Sequence, residues 1–171
     1  MTEAGPKEVA KLISIAGGEV IGATRLQKIA CLIELAGATL GFNFSYHLYG
    51  PYSEQLDVAV SDAGALGLVR IEPKQAAWGG RYSVFRLSSP EADHVPNSIS
   101  TLATTAAKAD SVELELAVTA AFLAANGNPD AWDAVAVRKK AKATPARLAN
   151  AKALYQVLRS VENLPKSLPA I

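Results

Sequence analysis

The stretch LVRIEPKQAAWGGRYSVFRLS, residues 68 to 88, decides how this chain folds. Its two ends, LVRIEP and RYSVFRLS, are short and rich in branched and aromatic residues, as strands are. Between them, KQAAWGG carries Gly79-Gly80, a pair that tolerates the positive φ of a hairpin turn. The pattern predicts a two-stranded hairpin with a longer loop. Trp78 stands in that loop, a large apolar group where a tip should be polar. It is either folded against the body or a contact residue.

Upstream, the spacing of apolar residues changes from two to three or four. Pro6 suits the first turn of a helix, and Val9, Leu12, Ile13 and Ala16 follow at helical spacing up to Gly17-Gly18. In EVIGATRLQKIACLIELAGATLG, Thr24 reads as an N-cap and Gln27 as its capping-box partner. Leu26, Ile29, Ala30, Ile33 and Leu40 then mark a helix buried along one stripe, with Gly41 as its stop. The decade FSYHLYGPYS follows, residues 44 to 53, with three of the five tyrosines and one of the two histidines. Ser53 caps a third helix whose inner face is Leu56, Ala59, Val60, Ala63 and Leu66. Three helices and then a hairpin is the order of a winged helix-turn-helix. The predicted fold is therefore mainly α, of the α+β class, with a winged helix over residues 1 to 88.

Downstream, SSPEADHVPNS is polar with two prolines and predicts a linker over residues 89 to 98. Residues 99 to 171 are alanine-rich and predict a helical subdomain. SISTLATTAAKA is weakly amphipathic. Asp110 caps the next helix, and Glu113 and Glu115 suit its positive end as a solvated start. Leu114, Leu116, Val118, Phe122 and Leu123 surround that helix, so it is expected to be well buried before Asn126-Gly127 ends it. DAWDAVAVRKKA is a shorter helix. Thr144-Pro145 opens a last one, with Leu148, Ala151, Leu154, Tyr155 and Leu158 on one side.

Composition narrows the function. The chain has 171 residues, half of them hydrophobic, and a net charge of +1, which fits neither a nucleic-acid coat nor an acidic tail. The single cysteine, Cys31, lies in IACLIEL and reads as a buried, inert residue. No signal peptide or membrane-spanning run is visible, so a cytoplasmic protein is expected. GxGxxG, GxxxxGK[ST], HExxH and GxSxG are all missing from the sequence. His47 and His94 stand far apart, so no metal site and no cofactor are expected, and the reading is not an enzyme.

The motif GATRLQKIACLIEL, then FSYHLYGPYSEQL, then GLV before the hairpin, resembles the Panacea antitoxin domain and its YwgA-like relatives. Thr24, Leu26, Gln27 and Lys28 carry the first part, and Tyr49, Gly50, Pro51, Tyr52 and Ser53 the second, over residues 7 to 88. The resemblance implies a bacterial antitoxin that neutralises a toxin by contact, or an adaptor that hands a partner to a protease.

Two candidate surfaces follow. The first is a partner-binding patch of Tyr46, His47, Tyr49, Gly50, Pro51 and Tyr52, because tyrosines give large rigid contact area. Pro51 is expected to set a turn and to hold Gly50 extended. Alternation puts Phe44, Tyr46 and Leu48 on one face and His47 with Tyr49 on the other. The second is a basic run without acids: Arg138, Lys139, Lys140, Lys142, Arg147, Lys152 and Arg159. It reads as an anion-binding edge for DNA, RNA or an acidic protein, and it carries the alternative of a winged-helix transcriptional regulator. The third helix carries Glu54, Asp57 and Asp62 with no Lys or Arg, so it is a poor groove reader. The alanine-rich helices suit close packing as a homodimer.

Overall fold

The hairpin forms where the sequence places it. In the computed structural model, which describes residues 3–89 and 96–171, the chain begins with helix α1 (Pro6–Ile15), strand β1 (Glu19–Ile21) and helix α2 (Ala23–Leu35). Strands β2 (Ser45–His47) and β3 (Gly50–Tyr52) form a small antiparallel pair, followed by helix α3 (Glu54–Ala65). Strands β4 (Val69–Gln75) and β5 (Arg81–Leu87) then pair antiparallel from Val69 opposite Leu87 to Gln75 opposite Arg81. Helices α4 (Asn97–Lys108), α5 (Ser111–Ala125), α6 (Ala131–Arg138) and α7 (Pro145–Arg159) complete an α+β fold. Residues 90–95, most of the expected linker, lie outside the described residues.

One strand was not expected. β1 is only three residues long, yet it pairs with β5, Val20 opposite Phe85, giving the sheet order β1-β5-β4. Val20 is buried while Glu19 and Ile21 point outward, the period of two that a half-buried strand needs.

Helix α2 differs from its expected form in three ways. Gly22 is its N-cap, not Thr24, and no side chain caps it. It ends at Leu35 rather than near Leu40, because Gly37 at φ +83 closes it and the Ala38 amide bonds back to the Ile33 carbonyl at 3.2 Å. The Glu34 carboxylate then accepts the amides of Leu40, Gly41 and Phe42, which fixes the loop that leaves the helix. Finally, α2 is buried on every side from Leu26 to Ile33, not along one stripe. It lies at the centre of the molecule. α5 packs on it, and its alanines Ala117 and Ala121 are fully buried in the same core as Ile29 and Ile33.

That main core also takes Val9 and Leu12 from α1, Leu56 from α3, Leu102 from α4 and Tyr155 from α7. Each such buried aliphatic chain contributes about 1.5–3 kcal/mol of transfer free energy. A smaller cluster joins Leu116 and Ala120 of α5, Val135 of α6 and Ala151 of α7, with Tyr46 packed against it. The caps Ser53, Asp110 and Thr144 accept helix amides as expected. No helix among the described residues is long and apolar enough to cross a membrane.

Candidate functional site

The two motifs of the sequence are one physical unit. The Gln27 side chain of α2 bonds both backbone groups of Ser53: its Nε2 donates to the carbonyl at 3.0 Å, and its Oε1 accepts the amide at 2.9 Å. Gln27 is thus not a capping-box partner. Two buried bonds to a loop outweigh one bond at a helix end. The neighbouring Lys28 is 1% exposed, and its Nζ donates to the Pro51 carbonyl at 2.7 Å. Gln27 and Lys28 of the first motif thus hold Ser53 and Pro51 of the second.

What it holds is the β2–β3 hairpin. Tyr46 lies opposite Pro51 and His47 opposite Gly50, so the turn falls on Leu48-Tyr49. Pro51 does not set the turn. It sits within β3, and Gly50 is at φ +83 rather than in the extended geometry expected before a proline. The tight turn places Leu48 at 81% exposure, away from Tyr46 and Phe44, against the simple alternation expected. Tyr49 is 52% exposed, and His47 is exposed with its ring centroid 5.0 Å from that of Tyr52. The His47 Nε2 lies 3.0 Å from the Ser45 hydroxyl.

The basic run reaches the same hairpin. Arg138 stands over the Tyr46 ring at 4.8 Å and Lys142 over the Tyr49 ring at 4.6 Å. The Lys139 Nζ donates to the Leu48 carbonyl at 2.6 Å. Lys139 is buried, and its charge is met by Glu115, 2% exposed on α5, at 2.9 Å. The other oxygen of Glu115 takes Lys142 at 2.8 Å. Glu115 is therefore an interior charge, not part of a solvated helix start, and Lys139 and Lys142 are tied to the body. Lys152 lies 5.8 Å from the centre of the Trp132 ring, while Lys140, Arg147 and Arg159 are exposed and in no ion pair among the described residues. The run is split between a clamp and exposed cations that no carboxylate among the described residues meets. Residue spacing hides this, because Glu115 lies 24 residues before Lys139. The available signal was a carboxylate, Glu115, set between Leu114 and Leu116 one turn into a helix that is otherwise apolar on most sides.

Lys28 belongs to the same buried electrostatic group. Burial pushes its ammonium down to about 8, and Glu115 only partly opposes this. The ordinary value is 10.5, so between the two values the unfolded chain holds more protons than the folded one. The contribution of Lys28 to stability therefore rises with pH across that window and is least favourable below it. Cys31 is pushed up to about 12 by burial and acts in the opposite sense. The useful measurement is thus a difference. From pH 8 to 10 the wild type should gain stability relative to Lys28→Met in chemical denaturation. Parallel curves would contradict the burial of a charged amine.

Trp78 is 84% exposed and is not folded against the body. Its ring lies across Gly80, where a Cβ would collide with it. Among the described residues no three His, Cys, Asp or Glu side chains come together to hold a metal ion.

The comparisons with known proteins agree with part of the resemblance. The chain is 33% identical over 92 residues to an uncharacterised protein, YwgA, of Bacillus subtilis (strain 168), which covers 52% of this chain and 55% of that protein. The chain thus spans about half the length of the curated relative it matches. No family model matches, and no solved structure matches.

Proposed function

We propose that the chain is a non-enzymatic protein-binding module of winged-helix type, similar to the Panacea antitoxins, which engages a protein partner through the β2–β3 hairpin. One observation carries this reading. Leu48 and Tyr49 are large and exposed, yet the strands they join are fastened from the body: Lys139 takes the Leu48 carbonyl, Lys28 the Pro51 carbonyl, and Gln27 both backbone groups of Ser53. Folding gains nothing from exposing a leucine at a rigid tip, whereas recognition does: preorganised apolar anchors lower the entropic cost of binding. The helix order α1-α2-α3 with β1 added to the β4–β5 hairpin supports the winged-helix reading. The partner is a toxin that the module silences, or a protein that it delivers for degradation.

A second reading, a DNA- or RNA-binding regulator, rests on Lys140, Arg147, Lys152 and Arg159, which remain exposed on one region of the chain. The exposed Glu54, Asp57 and Asp62 of α3 oppose it. Salt separates the two. Capture of a partner by the tagged protein should survive nuclease and a rise from 50 to roughly 200 mM salt, conditions that weaken a phosphate-tracking complex by about a thousandfold or more. The triple reversal Arg147→Glu, Lys152→Glu, Arg159→Glu should leave capture intact. Loss in either arm would favour the regulator.

A further inference from the structure

A groove of about 910 Å³ lies between the start of α2 and the open edge of β5. β1 stops at Ile21, opposite Val84; the Gly22 amide still donates to the Ser83 carbonyl at 2.8 Å, and past it Tyr82 and Arg81 of β5 have no strand on that side among the described residues. The walls combine cations and aromatic rings. Arg81 is exposed and forms no ion pair among the described residues. Trp78 and Tyr82 are exposed, and Tyr49 stands at the rim. The indole of Trp78 rests on Gly80, which fixes one face and leaves the other open. Arg25 also lines the groove. Its Nη atoms donate to the carbonyls of Ile21 and Ala109, while its Nε is the one buried side-chain polar atom among the described residues without a partner. The Glu115 carboxylate at the groove is already shared by two lysines, so it leaves the local charge positive.

We propose that this groove binds a single nucleotide, with the base stacked on the open face of Trp78 and the phosphates held by Arg81 and the uncapped amides at the start of α2. An open indole beside an unpaired arginine matches a planar base attached to an anion, a pairing an acidic peptide does not need. The amides of Ala23, Thr24 and Arg25 precede the first intrahelical bond, from Leu26 to Gly22, and no side chain among the described residues takes them. The volume suits one small ligand. A longer strand would have to pass a chain with net charge +1 and an acidic α3, which gives it no continuous cationic track. The groove shares Tyr49 with the hairpin surface, but the proposal rests on Trp78, Arg81 and the start of α2 and does not depend on the hairpin reading.

Trp132→Phe leaves Trp78 as the one tryptophan. In that background, ATP, GTP and AMP should each be tested for quenching of Trp78 fluorescence, with equilibrium dialysis of ATP against the wild-type chain as the parallel measurement. At least one nucleotide should quench saturably below millimolar concentration, and Arg81→Glu should weaken it by about tenfold or more at unchanged melting temperature. Inorganic phosphate should compete only at much higher concentration. No saturable binding in either measurement would overturn the proposal. So would equal affinity in Arg81→Glu, an equal response to a polyglutamate peptide, or an affinity that climbs with the length of a single-stranded oligonucleotide.

Discussion

Glu115→Ala is expected to lower stability by about 3–5 kcal/mol, the cost of leaving a buried charge without its partner. Among the described residues Glu115 is the carboxylate that meets Lys139 in the interior, at 2.9 Å, and it also takes Lys142 at 2.8 Å. Lys142 is partly exposed and can turn to water, so most of the loss falls on Lys139. Lys28 loses the one carboxylate that favours its charged form. The effect reaches the hairpin, because Lys139 also holds the Leu48 carbonyl. Two denaturation curves test this. Glu115→Ala alone should be severe, and Glu115→Leu combined with Lys139→Met should recover much of the loss, since an apolar pair of similar volume carries no desolvation penalty. A single-variant loss below about 1 kcal/mol, the worth of an exposed ion pair, would show that these groups are solvated.

Gly50→Ala is expected to cost about 3 kcal/mol or more, from two sources that add. Gly50 sits at φ +83, a conformation that an L side chain adopts at a cost. A Cβ there would overlap the Thr119 hydroxyl of α5. Thr119 cannot easily yield, because its hydroxyl is spent on the Glu115 carbonyl of the same buried helix. The hairpin would have to lift from α5, breaking the Lys28 bond to Pro51. Thr119→Ala should relieve part of the damage by removing the clashing oxygen. If Gly50→Ala melted with the wild type, the close approach of hairpin and helix would be wrong. Gly18 is the control: it also has a positive φ, but open space surrounds it, so its substitution should cost only the backbone term.

These two residues show which parts of the protein were legible in its sequence. Local chemistry was readable where neighbours alone decide the outcome. Ser53, Asp110 and Thr144 cap helices, and Gly79-Gly80 stands at the turn, because each acts within a few residues of itself. β1 was not readable: three residues carry no periodicity, and their pairing with Val84 to Arg86 lies over sixty positions away. The end of α2 was misjudged because Gly37 and Gly41 are both valid stops, and contact of the first with Lys166 selects it. The candidate site was half legible. The tyrosines stood out by composition, but their support did not. Gln27 and Lys28 read as polar residues of a helix, because positions between Leu26 and Ile29 point away from a one-sided apolar stripe; the packing of α5 and the β2–β3 hairpin on α2 buries them. The basic run looked free because Glu115 is distant in sequence. Distance along the chain, rather than weak chemistry, hid the clamp.

The central claim is that the clamped tip of the hairpin is a contact surface. The most direct measurement is capture from extracts of native cells, nuclease-treated, with wild type and Leu48→Asp, Tyr49→Ala side by side. Leu48 is exposed and Tyr49 half-exposed, so the double variant should lose no more than about 1 kcal/mol, the worth of the Lys142 contact with the Tyr49 ring. The expected result is one stoichiometric protein partner with the wild type and none with the variant. Equal capture by both, or recovery of nucleic acid alone from the untreated extract, would contradict the claim.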